Sequence, residues 1–432
     1  MADMISETER KRIISLIKRE VVPAIGCTEP VAVALCVARA AETLGKTPES
    51  IEAILSANIL KNAMGVGIPG TGMTGLPIAI ALGALVGRSE YGLEVLRDVN
   101  PEAVEKGKEY IAEGRTLISL KKDAPAKLYI EIHARSGEHE AVAVISGSHT
   151  HFTRVEKDGS VLLDEDGTSH ESDGSNADPE LSLAKVWEFA TGTPVEELSF
   201  ILEAGRLNKA AAERSFKGDY GHNLGKIMKN SLERQTMGES TFTRILSYTS
   251  AACDIRMAGE KIPVMSNSGS GNQGIAATVP VVIYAEERKA DEEQLIRALT
   301  LSNLTAIYIK QSLGSLSALC GCVVAATGSS CGITYLMGGG YPEICSAVKN
   351  MIANLTGMIC DGAKPSCALK ITSGVSTAVL SAMMAMEHEC VSSLEGIIDD
   401  DIDRCIRNLT TIGRDGMNET DSLILDIMTH KN

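Results

Sequence analysis

Four cysteines stand at glycine- or proline-marked breaks beside apolar runs. Cys27 lies in Gly26-Cys27-Thr28-Glu29-Pro30, and Cys320 opens Cys320-Gly321-Cys322. Cys360 and Cys367 bracket Cys360-Asp361-Gly362-Ala363-Lys364-Pro365-Ser366-Cys367. Such breaks let the backbone turn and present thiolates inward. Soft thiolates from several segments, gathered in a water-poor pocket, are what an iron–sulfur cluster needs. The competing use of cysteine is as a small buried hydrophobe. Cys36, Cys253, Cys331, Cys345, Cys390 and Cys405 sit in ordinary apolar or helical context and read that way. On one helix Cys320 and Cys322 would point about 200° apart, so one cluster takes both only if the helix starts between them. The spacing from Cys360 to Cys367 suits a loop folding around a ligand. No Cys-x-x-Cys pair and no Cys/His cluster offers zinc spacing.

Glycine-rich segments offer a second kind of chemistry. Gly-x-Gly-x-x-Gly occurs at Gly65–Gly70, Gly70–Gly75 and Gly269–Gly274. A dinucleotide site needs that turn after a strand and before a helix, with an acid about 20 residues on. The segment before Gly65 reads as helix, and no suitable acid follows Gly274. The run holding Asn267, Ser268, Ser270, Asn272 and Gln273 is dense in hydroxyls, amides and bare backbone. It reads either as a polar turn capping the next helix or as a carboxylate- or amine-binding loop at a helix N-terminus.

The elements that must position these residues are mostly helical. Periodicity predicts helices over 7–21, 30–44, 48–61, 76–86 and 90–113, with a glycine-rich loop at 63–75. The period then changes to two. Strands are predicted at 115–120, 127–132, 140–145 and 151–155, with a further hairpin through Asp158-Gly159 into 161–163. Residues 163–180 read as a polar loop, and 181–190 and 194–216 as helices. Beyond 224 the pattern is helical and rich in small residues, with glycine breaks at 266–274, 338–341 and 361–366. The expected fold is therefore mainly α: a discontinuous domain of small-residue-rich packed helices with an inserted α+β subdomain. The first helical part spans 1–113, the insert 114–205, and the second helical part, with most of the candidate ligands, 206–432.

Composition bounds the function. The 432 residues carry a formal net charge of −15, which argues against nucleic acid or an anionic membrane as partner. Aromatic residues are only 3%, so the core must come from Ala, Leu, Ile, Val and Met. An odd number of cysteines, 11, and a charged stretch 1–20 without an apolar signal core point to a reducing cytoplasm. Two uncharged stretches, 62–87 and 314–342, are long enough to cross a bilayer, but Gly, Ser, Thr and Pro break them. They read as buried helices and turns.

Taken together, Gly26-Cys27-Thr28-Glu29-Pro30, Lys61-Asn62 with Gly65-Val66-Gly67-Ile68-Pro69-Gly70, Asn267 to Gly274, Leu319-Cys320-Gly321-Cys322 and Cys360-Asp361-Gly362-Ala363-Lys364 resemble the L-cysteine desulfidases. That family is related to the alpha part of iron–sulfur L-serine dehydratases, and the resemblance spans nearly the whole chain. It implies a [4Fe–4S] cluster and conversion of L-cysteine to pyruvate, ammonia and sulfide without pyridoxal phosphate. It implies Cys27, Cys320 and Cys360 as ligands, leaving one iron open. Cys367 lies where the serine dehydratases have a further cysteine after a longer gap, and stands as fourth ligand, neighbour or spare.

The implied elimination needs a base near the substrate Cα, close and desolvated. Candidates are Lys364, Lys61 and His149 in Ser148-His149-Thr150-His151. Lys364 reads equally as a solvated loop lysine, and His149 as a turn residue after a strand. Glu29 would hold the substrate ammonium or cap the helix near Pro30. Asn62 and the polar loop from Asn267 to Gln273 complete the expected substrate contacts. L-serine dehydratase chemistry, a non-catalytic cluster or thiol sensor, and a membrane carrier are the alternatives. The expected partner is a small amino acid, and the apolar helices allow a homodimer.

Overall fold

A computed structural model describes residues 5–165, 178–230, 237–314 and 317–430. Among them are 17 helices and a small mixed sheet, so the chain is mainly α with a small α+β part. The helices are α1 Glu7–Glu20, α2 Thr28–Leu44, α3 Ala57–Ala63, α4 Leu76–Leu85, α5 Pro101–Ala112, α6 Leu183–Gly192, α7 Val195–Leu198, α8 Leu202–Ser215 and α9 Leu224–Lys229. They continue with α10 Thr241–Met257, α11 Gly271–Arg288, α12 Glu292–Leu313, α13 Gly321–Leu336, α14 Tyr341–Leu355, α15 Cys367–Met386, α16 Ile402–Thr411 and α17 Asn418–Thr429. The strands are β1 Pro23–Ile25, β2 Ser50–Leu55, β3 Thr116–Leu120, β4 Tyr129–Ser136, β5 His139–Ser146, β6 Phe152–Lys157, β7 Ser160–Asp164 and β8 Pro263–Met265.

Six strands form one sheet in the order β3-β2-β4-β5-β6-β7, antiparallel except for β2 beside β3. Its inner face is read directly from alternation. Ile51, Ala53, Leu55, Ile130, Ile132, Ala134, Ala141, Ala143 and Ile145 are buried in one cluster with Val31, Val33 and Leu35 of α2. Each fully buried Ile or Leu contributes roughly 2 kcal/mol. Glu131, His133 and Glu140 pair on the opposite face.

Two predicted helices differ from what forms. Residues 48–61 split into β2 and α3, because Ile51, Ala53 and Leu55 alternate with Glu52 and Ile54 and sheet pairing rewards period two. The sheet thus takes β2 from outside 114–205, while α6 buries Leu183, Val186 and Phe189 against the helical core. Residues 90–113 form a short 3-10 turn, Ser89–Glu94, and then α5. Pro101 starts α5, and Asn100 Oδ1 accepts the Ala103 N–H at 2.9 Å. Most of the polar loop expected at 163–180 lies outside the described residues.

The second helical part packs closely because its residues are small. An added Cβ at Gly328 of α13 would lie 2.2 Å from the Ser302 carbonyl oxygen on α12. Several buried hydroxyls bond carbonyls of their own helices, as Thr249 does on Ile245 at 2.7 Å and Thr327 on Val323 at 2.9 Å, and others bond a neighbouring helix, as Ser302 does on Ala277 at 2.6 Å. Among the described residues one helix, α15, is long and apolar enough to cross a membrane. Half of its apolar window is buried in the protein, against α10, α13 and α14. Stretch 62–87 is divided by a loop before the ten-residue α4, and 314–342 holds the 16-residue α13.

Candidate functional site

Two pairings of distant backbone build the site. β1 runs antiparallel to β8, with Pro23 opposite Met265. One end of this ribbon leads into Cys27 at the N-terminus of α2, the other into Ser266–Ser270 at the N-terminus of α11. A tight turn closes the latter, with Asn267 and Ser270 exchanging backbone hydrogen bonds of 3.1 Å and left-handed φ at Ser268 and Gly269. Arg256 of α10 clamps both ends: Nη2 donates to the Gly26 carbonyl and Nη1 to Asn272 Oδ1, each at 3.0 Å.

The second pairing is an antiparallel bridge between Leu319 and Ile359. Cys320 N–H donates to the Met358 carbonyl at 3.0 Å and Cys360 N–H to that of Ala318 at 2.7 Å. This sets Cys320 and Cys360 on adjacent segments. Gly362, at φ +90°, presses against the Lys61 carbonyl, where any Cβ would lie 2.2 Å from that oxygen. Cys367 opens α15, and its thiol faces the Gly362 carbonyl at 3.7 Å. Cys320 is the N-cap of α13 and Cys322 its second residue, so the helix does start between the two thiols.

These pieces enclose one cavity of about 330 Å³. Cys27, Cys320, Cys322, Cys360 and Cys367 line it, with Glu29, Asn62, His149, Ser268, Ser270, Asn272 and Gln273. The N-termini of α2, α11, α13 and α15 therefore border the same space. Their dipoles and free N–H groups favour negative charge there, whether thiolate or a ligand's anion.

Electrostatics separate the thiols. Burial, then the Glu29 carboxylate, pushes the Cys27 thiol well above its ordinary value, with Arg256 opposing. Cys320 is held down at about 7, chiefly by the hydrogen bond from the Cys322 thiol. Cys360 and Cys367 are raised by burial. Cys27 Sγ donates to Glu29 Oε2 at 2.9 Å, and Asn62 Nδ2 donates to Glu29 Oε1 at 3.2 Å.

His149 enters the cavity from the β5–β6 turn, opposite α2. Burial lowers its imidazole pKa, which favours the neutral ring, and among the described residues its buried Nε2 has no partner. Gln273 Oε1 is likewise buried and unpartnered. Its amide lies over Gly321, where a Cβ would sit 2.9 Å from Cδ.

Three expected site residues do not line the cavity. Lys61 is buried in an ion pair with Asp421 of α17 and donates to the Cys360 carbonyl at 3.4 Å. Lys364 is paired with Asp361 and bonds the carbonyls of Asp361 and Gly362. Asn267 is buried on the far side of its turn, donating to Asn303 Oδ1 at 3.0 Å. Of the charged residues lining the cavity, Glu20, Arg256 and Lys310 are not among those expected from the sequence. For two of them a signal exists: Lys310 ends a run uncharged from Ala298 to Ile309, and Arg256, with Asp254, follows a run uncharged from Ile245 to Cys253.

Among the described residues no three His, Cys, Asp or Glu side chains converge on a point as ligands of one metal ion. A cluster makes a different demand, since each thiolate takes its own iron and the sulfurs stay apart around a cage. Thiols from separate elements lining one cavity fit that donor set, with Cys27 ahead of α2 and Cys320 and Cys360 on the paired segments.

The chain matches the family described as serine dehydratase alpha chain over residues 90–426. That span includes His149, Cys320, Cys360 and Cys367 and leaves out Cys27, Glu29 and Asn62. A UPF0597 protein of Bacteroides thetaiotaomicron is 69% identical over 425 residues, covering 98% of this chain and 99% of the relative. One from Phocaeicola vulgatus is 70% identical over 429 residues, covering 99% of each. A more distant one, from Photobacterium profundum, is 44% identical over 420 residues, covering 97% of this chain and 98% of its own.

Proposed function

We propose, from the premise that the chain belongs to the serine dehydratase alpha chain family, that its cavity carries out β-elimination on a small α-amino acid. The substrate we favour is L-cysteine, giving pyruvate, ammonia and sulfide without pyridoxal phosphate. The observation that carries this reading is the meeting of Cys27, Cys320 and Cys360 in one cavity with an imidazole whose Nε2 is unpartnered among the described residues.

A [4Fe–4S] cluster held by Cys27, Cys320 and Cys360, with Cys367 beside them, would supply a Lewis-acid iron for the leaving group. The chain's own residues do the rest. His149 Nε2 takes the Cα proton; the C–H electrons become the Cα–Cβ double bond, and the Cβ–S pair leaves on sulfur. The aminoacrylate released then hydrolyses in water to pyruvate and ammonia. Glu29 and Gln273 Oε1 accept from the substrate ammonium. Asn62 fixes the Glu29 carboxylate, and Arg256 holds the starts of α2 and α11 in place. Lys61 and Lys364, each committed to an aspartate, brace the loop that carries Cys360. The eleven free thiols suit a reducing cytoplasm.

The family's name supports a second reading, L-serine dehydration, in which hydroxide leaves instead of sulfide. Anaerobically reconstituted protein given each amino acid decides between them. Sulfide and pyruvate from L-cysteine, without pyruvate from L-serine, is the expected result. Pyruvate from L-serine alone would replace the first reading with the second. His149→Asn should lower kcat by about 100-fold or more, the scale of a lost general base.

A further inference from the structure

We propose that Lys310 anchors the carboxylate of the amino-acid substrate. This inference rests on the elimination reading above and adds the residue that recognises the acid end of the substrate.

Lys310 lies in the last turn of α12 and lines the cavity beside Glu29, His149, Ser268 and Cys320. Among the described residues its ammonium makes no hydrogen bond or ion pair. Of the other cations nearby, Lys61 is paired with Asp421 and Lys364 with Asp361, whereas Arg256 donates to Gly26 and Asn272 and turns its remaining Nε onto the Gly271 backbone rather than into open space. An unpaired cation at a largely buried site is costly, and an incoming carboxylate removes that cost. Burial lowers the Lys310 ammonium to about 8, with Cys360 and Glu29 opposing, so it remains mostly charged at neutral pH. The N-terminus of the 18-residue α11 borders the same space through Ser270 and the buried Gln273.

The cavity then matches a zwitterion. Lys310 and the α11 N–H groups meet the carboxylate, Glu29 and Gln273 Oε1 meet the ammonium, and His149 meets the proton between them. The anchor also assists the reaction. As the Cα proton leaves, negative charge spreads into the carboxylate, and a fixed cation stabilises it.

The test compares L-cysteine with cysteamine, which keeps amine and thiol and lacks the carboxylate. Anaerobically reconstituted wild type, Lys310→Met and Lys310→Arg are assayed for the KM of L-cysteine and for inhibition by cysteamine. Lys310→Met should raise KM about 10- to 100-fold, the scale of a charged hydrogen bond, and leave cysteamine inhibition within about twofold. Lys310→Arg should recover part of the loss. Equal weakening toward both ligands, an unchanged KM, or a collapse of kcat at unchanged KM would overturn the anchor. Wild type that turns over neither L-cysteine nor L-serine sinks the elimination reading instead. Calorimetric titration with L-serine and ethanolamine then tests the anchor without turnover. Loss in Lys310→Met confined to L-serine supports it; equal loss, no loss, or no L-serine binding by wild type overturns it.

Discussion

The thiol of Cys27 donates to Glu29 Oε2 at 2.9 Å, across the first turn of α2. A thiolate has no hydrogen to give. Ligation of Cys27 would therefore release that carboxylate oxygen and leave Glu29 held by Asn62 alone. Glu29→Gln keeps the shape and removes the charge. It should leave the iron content of reconstituted protein unchanged and raise the KM for substrate about tenfold or more, the scale of one charged hydrogen bond. Steady-state kinetics with iron analysis on the same sample checks both.

Cys27→Ala, Cys320→Ala and Cys360→Ala should each lose iron and acid-labile sulfide after anaerobic reconstitution. Cys345→Ala, half-buried beside Tyr341 and away from the cavity, should retain both. Full iron and turnover in all three cavity variants would remove the ligand assignment.

Lys61 and Asp421 join α3 to α17 near the C-terminal end of the described chain, with side chains 2% and 16% exposed. Asp421→Asn leaves the buried ammonium without its counter-ion, at a cost of about 3–5 kcal/mol. The midpoint of urea unfolding should fall accordingly. The double variant Lys61→Met with Asp421→Leu should recover much of it, because no charge is then stranded.

Asp254 of α10 gives the fold a pH signature. Burial raises its carboxyl from 3.8 to about 6, against the Gly225 N–H that donates to Oδ2 at 3.0 Å. A raised folded-state value means the folded protein binds this proton more tightly than the unfolded chain. The stability it contributes is complete below about 4 and is lost as pH rises through about 6, by at most about 3 kcal/mol. Asp254→Asn should abolish that slope, so the variant gains on wild type between pH 4 and 6. Denaturant titrations at the two pH values check it; parallel curves would show that Asp254 does not titrate in this range.

Much of the site could be read along the chain because helix starts have local causes. Pro30 after Cys27, Gly321 after Cys320 and Pro365 before Cys367 mark places where backbone turns into helix, and all three cysteines do stand at helix N-termini. His149 was visible as a motif, but its turn looked like surface. Only the packing of the β5–β6 hairpin toward α2 turns it inward and strips its Nε2 of solvent.

The sequence by itself determined the mainly helical class, the small-residue packing, the period-two alternation of most of the sheet and the cysteines at the breaks, because each follows from neighbours a few positions away. Tertiary structure alone decided that 50–55 is strand rather than helix, since its partners lie some 60 and 80 residues further on at Thr116 and Ala134. It also decided which charges are free. Lys61, Lys364 and Lys310 are alike in sequence, but an aspartate brought from elsewhere in the fold or from the same loop neutralises the first two, and among the described residues no carboxylate pairs with the third. Burial and pairing depend on segments that meet only when the chain has closed, and they set which side chains are left to do chemistry.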